Sequence, residues 1–227
     1  MNNFIDKFNS MVDIIQNHPH IDLLDFGIEP PPGKKLLNDI ASKYQASPDK
    51  TVQDFYSQCN GVKLAWRLAT NELPGSSADD VIEGSINILP IAEVFGGFGG
   101  KGWQNDLWSD GTPASKQAIK KQLRPFDYFY QEDSACTCFF EKDNTLEKQL
   151  YLHSIDYGVH RLGIDLDTYL ELLLLTGGFH SWPFLLLDKG DYYNYDKLEA
   201  ASKKYLPVIF PDFNYEDFKK MSHVKKQ

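Results

Sequence analysis

The sequence predicts an α+β fold: N-terminal helices, a central antiparallel sheet and a packed late helix. Three observations carry that expectation. Apolar residues recur three and four apart near the start and again in the last third, which is helical spacing. Between them lie short aromatic or β-branched runs, VKLAWRL, SINILPI, FDYFY, SACTCFFEK and QLYLHSI, separated by polar turn clusters. Helices, strands and helices follow one another without βαβ alternation, so an antiparallel sheet is expected.

Phe4, Ile5, Phe8, Met11, Val12 and Ile15 predict an amphipathic helix over 3–16. His18-Pro-His20 and the PPPG at 30–33 bracket an expected loop-rich connection, because proline withholds a backbone donor. Leu36, Leu37, Ile40 and Tyr44 place a second helix over Lys34–Tyr44. A third has Ser47 as its cap, Pro48 in its first turn and Asp49 at the positive end of its dipole. It is expected to stop at Asn60-Gly61, with glycine supplying the left-handed cap.

Within FYSQCNGVKLAWRL the period falls from helical to two, so VKLAWRL is a strand. It should pair with SINILPI across the long polar loop TNELPGSSADDVIEG. Asp165 is expected to cap a helix that is apolar nearly all round, with Leu166, Tyr169, Leu170, Leu173 and Leu174 on its main stripe and Gly177-Gly178 at its end. One further helix fits Lys197–Tyr205. The chain thus divides into an N-terminal helix and Pro-rich linker (1–32), a core domain (33–182) and a helical extension packed on that core (183–227).

A formal net charge of −9 disfavours nucleic acid and anionic lipid as partners and suits a basic protein. Three cysteines cannot all pair within one chain, and Cys136 and Cys138 read as two positions on one strand face. Asp6 and Asp13 interrupt the apolar N-terminus, so no signal peptide is expected. LELLLL is too short to span a membrane. A cytoplasmic location follows as an expectation.

Chemistry-bearing motifs are sparse. Gly97-Phe-Gly99-Gly-Lys-Gly102 matches GxGxxG, but no helical period follows it, and Lys101 precedes glycine where a phosphate loop has Ser or Thr. His18 and His20 flank a proline and are expected to be solvated, and His153 reads as a strand residue. None of the six histidines stands at ligand spacing from Cys136 and Cys138, so neither a metal nor a cofactor is expected. GxSxG is absent, and the carboxylate pairs Asp79-Asp80, Glu132-Asp133 and Asp165/Asp167 read as turns and caps. An enzyme is not expected. The Gly- and Trp-rich segment offers the candidate partner-binding residues Trp103, Asn105, Asp106, Trp108 and Asp110, although its tryptophans could equally plug the sheet.

In order, PDKTVQDFYSQCNGVKLAW, GSINILPIAEVF, the tryptophan segment, LRPFDYF, SACTCFFEK and DLDTYLELLLLTGGFHSW resemble the SMI1/KNR4 family of the SUKH superfamily. The resemblance covers about two-thirds of the chain, Gly33 to Trp182. It implies a helix feeding the first strand of an antiparallel sheet through Asn-Gly, and a late helix packed on that sheet. Functionally it implies a protein-binding module with no established catalytic residues. One branch consists of immunity proteins that neutralise polymorphic toxins, often nucleases; another consists of intracellular scaffolds of cell-wall and signalling pathways. The N-terminal helix and the residues after Trp182 fall outside the usual core.

Overall fold

The helix-period residues at the N-terminus form α1 (Phe4–Gln16), which buries Phe4, Phe8, Met11, Val12 and Ile15 on one face. In the computed structural model, residues 3–44, 50–69, 73, 76, 80–100, 103, 119, 121–130, 135–143 and 145–223 are described. The segment expected to be a loop is instead a strand, β1 (Ile21–Ile28). Its Ile21, Leu23, Phe26 and Ile28 stand opposite Leu68, Trp66, Leu64 and Val62 of the next strand. A bulge between Leu23 and Asp25 shifts the phase partway, which hides the alternation from a period-two reading.

Helices α2 (Lys34–Tyr44) and α3 (Lys50–Tyr56) follow, with the expected cap Ser47 outside the described residues. α3 ends before Asn60-Gly61, so Gly61 does not cap it. Gly61 instead lies where β3 passes: its φ is 125°, and a Cβ there would sit 2.5 Å from the Ile88 carbonyl oxygen. The Asn60 backbone N–H donates to Glu29 O at 2.9 Å, and its side-chain oxygen accepts from the Ile91 N–H at 3.2 Å. The joint ties strand ends together.

β2 (Val62–Leu68) and β3 (Glu83–Ile88) pair antiparallel, as expected. Pro90 then opens a short helix, α4 (Ile91–Gly96), so the IAEVF run does not prolong the strand. β4 (Leu123–Tyr130), β5 (Ala135–Lys142), β6 (Thr145–Leu146), β7 (Gln149–Ser154) and β8 (Gly158–Asp165) complete an eight-stranded antiparallel sheet. Its order is β1-β2-β3-β4-β5-β7-β8, with β6 paired to β5. β2 is therefore second in the sheet, not first. α5 (Leu166–Thr176) starts on Asp165, whose carboxylate accepts the Thr168 N–H at 3.1 Å. α6 (Tyr195–Ile209) is longer than Lys197–Tyr205, and α7 (Tyr215–His223) follows it. β8 and α7 went unpredicted: Arg161 breaks the apolar alternation of GVHRLGID, and YEDFKKMSH holds few apolar residues.

An aromatic relay runs through the core. Ring centroids lie 5.1 Å apart for Phe4–Phe55, 5.9 Å for Phe55–Phe126, 6.2 Å for Phe126–Tyr169, 5.0 Å for Tyr169–Trp182 and 6.3 Å for Trp182–Phe218. It links α1, α3, β4, α5, the 3-10 turn Trp182–Leu186 and α7. The segments before Gly33 and after Trp182 thus share one apolar cluster with the central region. Among the described residues, no helix is long and apolar enough to cross a membrane.

Trp66 fixes the end of α5 to the sheet. Its indole N–H donates to Gly177 O at 2.7 Å, and the ring fills the space where Gly84 would carry a Cβ. Gly84→Ala should therefore displace the indole and cost about 1–3 kcal/mol, read as a lower urea midpoint. An unchanged midpoint would refute the close contact.

Candidate functional site

Trp103 is spent on packing. It is 3% exposed, its indole N–H donates to Val94 O at 2.9 Å, and its ring lies 6.5 Å from that of Tyr128. It plugs the space beside α4 and does not anchor an exposed interface. Asn105, Asp106, Trp108 and Asp110 lie outside the described residues.

The structure draws attention elsewhere, to a split in the sheet. β3 meets β4 in register only at Ile88↔Asp127. Alternate N–H groups along that edge of β3 must still be satisfied, and they find the end of α5, a β4 side chain and the β4 backbone. The Ser85 N–H donates to Gly178 O at 2.8 Å, the Asn87 N–H to Asp127 Oδ1 at 3.0 Å, and the Leu89 N–H to Phe126 O at 2.9 Å. The Asn87 side-chain amide spans the gap to Tyr128 O at 3.2 Å. On its other side, β4 shifts register against β5 on both flanks of Asp127. Gly178–His180 occupies the vacated edge, with the His180 N–H donating to Glu83 O at 2.8 Å.

That split opens a cleft. On the sheet side, Leu24, Ala65, Ser85, Asn87 and Tyr128 line about 460 Å³ of space with His180 and Ser181 at its end. Beyond His180 and Ser181 a second chamber of about 310 Å³ lies against α6, walled by Val81, Phe179, Leu198 and Tyr205 and edged by Asn194 and Lys197. A third, of about 190 Å³, reaches Ser154, Asp156 and Tyr157. His180 and Ser181 line all three.

Local chemistry holds this centre in place. His180 Nδ1 lies 3.4 Å from Glu83 Oε1. Ser181 adopts φ 61° and ψ 13°, a left-handed conformation that turns the chain from its β3 pairing into the 3-10 turn Trp182–Leu186. On the far wall the Tyr205 hydroxyl donates to Asp80 Oδ2 at 2.5 Å. The lining therefore presents both charge signs, hydroxyl and amide groups, and apolar walls, which suits a polypeptide segment with varied side chains. The sequence signal for this site is TGGFHSWP, where two glycines stop the helix and Pro183 sits in the first positions of the next turn. His180 and Ser181 were missed because their importance lies in pairing with β3, far away in sequence.

Other sequence candidates resolve simply. His153 is buried in β7, and His18 and His20 are half-buried rather than fully solvated. Burial pulls the His18 pKa down, partly offset by a bond with the Val208 backbone. Cys136 and Cys138 share one buried face of β5 with their sulfurs 3.5 Å apart. Among the described residues, no group of three or more His, Cys, Asp and Glu side chains is placed to hold a metal ion.

Beneath the cleft, Asp127 is fully buried; Tyr169 donates to its Oδ2 at 2.8 Å, and Thr137 donates to the Tyr169 oxygen at 3.1 Å. Burial raises its pKa from 3.8 to about 6, against the opposing pull of the bonds from Asn87 and Tyr169. The folded state then holds a proton between pH 4 and 6 that the unfolded chain releases, so this group's contribution to stability falls as pH rises through that window. The loss is about 3 kcal/mol. Comparing urea unfolding of wild type and Asp127→Asn across pH 4–7 should show that the variant lacks this decline; parallel profiles would refute it. Ser181→Gly should leave stability unchanged or raise it by about 1 kcal/mol, because glycine accepts the left-handed backbone. A clear loss of stability would show that the serine side chain holds the turn. No family model, curated protein or solved structure matches the chain.

Proposed function

We propose that the protein is a non-enzymatic protein-binding module of the immunity type, which neutralises a toxin domain by seating part of it in the cleft around His180 and Ser181. The observation that carries this reading is the cleft's position and lining. It opens where β2, β3, β4 and the end of α5 converge, and these are the segments that resemble SMI1/KNR4 proteins. Its walls mix hydrogen-bonding groups of both signs with apolar surface, as a protein partner requires.

Neutralisation in this reading is steric: a partner segment held in the cleft brings the body of the protein over the toxin's substrate groove. The net charge of −9 would speed encounter with a basic toxin such as a nuclease and select it over acidic proteins. Tyr192, Asn194 and Lys197 lie beyond the region of resemblance yet line the cleft, so this chain's own extension would tune the choice of partner.

Co-expression with the C-terminal domain encoded by the adjacent gene should restore growth, and the two proteins should co-purify with an affinity that weakens as salt rises. Ala65→Arg and Lys197→Glu, at opposite ends of the cleft, should each weaken binding at least about tenfold with thermal midpoints unchanged. Absence of both rescue and binding would sink the immunity reading. Binding that ignores both substitutions would remove the cleft as its seat.

A further inference from the structure

A second groove, of about 520 Å³, runs between α1, α5 and the turn that joins α6 to α7, and it shares no lining residue with the cleft. Its floor is apolar: Met11, Ile14, Leu174, Leu175, Phe210 and Phe213. Leu174 and Leu175 are the two α5 leucines that are not fully buried, although the sequence placed Leu174 on the core stripe. Ile14 is 39% exposed on a helix whose Phe8, Met11, Val12 and Ile15 are buried.

The rim of this groove is acidic. Asp6, Glu171 and Asp212 face one cation, Lys7. Among the described residues, none of these three carboxylates makes an ion pair. Aliphatic surface left open beneath unneutralised carboxylates selects an occupant with the opposite pattern. From Asp6 to Ile14 the wall extends about 12 Å at roughly 1.5 Å per residue, which matches two turns of a docked helix. A second copy of this chain fits poorly, because a two-fold contact through this surface would set acid against acid.

We propose that this groove docks a basic amphipathic helix of a protein partner, its aliphatic stripe on Ile14, Leu174 and Leu175 and its lysines or arginines against Asp6, Glu171 and Asp212. The docking stands whether or not the cleft engages a toxin.

A fluorescein-labelled helical peptide of leucine and lysine at amphipathic spacing, titrated with the full-length protein, tests it by anisotropy. Wild type should bind saturably and more weakly at higher salt. Ile14→Asp and the double reversal Glu171→Lys/Asp212→Lys should each weaken binding at least about tenfold, whereas Asp22→Lys/Asp39→Lys, with the same change in net charge, should stay within about twofold. Circular dichroism checks folding, and Glu171→Gln/Asp212→Asn replaces the reversal if that variant melts early. No binding by wild type, equal loss in the control reversal, or equal binding of a glutamate-for-lysine peptide would each overturn the proposal. Concentration-dependent self-association that Ile14→Asp abolishes would assign the groove to a second copy and overturn it as well.

Discussion

A buried carboxylate stands in for a missing strand. Where β4 leaves β3, the Asn87 N–H would be an orphan in the protein interior, and such a group costs about 1–3 kcal/mol. Asp127 supplies the acceptor, and Tyr169 and Thr137 extend the chain of hydrogen bonds into α5 and β5. The substitution is imperfect, since burial pushes the carboxyl toward its neutral form. It nevertheless lets the sheet open without unsatisfied backbone. Everything at the cleft depends on that opening, because Gly178–His180 can pair with β3 only where β4 has withdrawn.

The end of α5 is held from both sides. Trp66 grips Gly177 from beneath, and β3 grips Gly178 and His180 along the edge. Ser181 therefore takes its left-handed turn from a rigid base, and the cleft is formed before any ligand arrives. Preorganisation of this kind lowers the entropic cost of seating any segment that enters the cleft. Its chemistry is modest, and its geometry is fixed.

Periodicity made much of the fold legible. The α1 face, the change of period after Asn60-Gly61, the β2–β3 hairpin and the Asp165 cap each depend on residues close in sequence. Features that failed depend on irregularity or on distance. The β1 alternation is broken by its bulge and masked by flanking prolines. FDYFY is legible only as a strand, and nothing local announces that Asp127 is fully buried against Tyr169 and the Asn87 N–H. Gly61 reads as a helix cap, yet the atom that requires glycine there belongs to Ile88. Trp103 could be read as plug or anchor, and only the position of the Val94 carbonyl decides it. The cleft was the least legible feature, because no local pattern announces that His180 pairs with Glu83.

Charge separates the two surfaces. Composition alone is compatible with a basic partner, without saying where one would bind. The cleft presents Lys197, Lys204 and His180 beside Asp80, Glu83 and Asp156, so its local field is mixed and its selectivity must come from shape and hydrogen bonds. Carboxylates outnumber cations around the α1–α5 groove, over an aliphatic floor. Screening confines such fields to about 8–10 Å at ordinary ionic strength, so the groove's acids act chiefly on what sits in the groove. In the two proposals, then, a basic helix is matched to the groove by its carboxylates, whereas the cleft offers its occupant shape and hydrogen bonds.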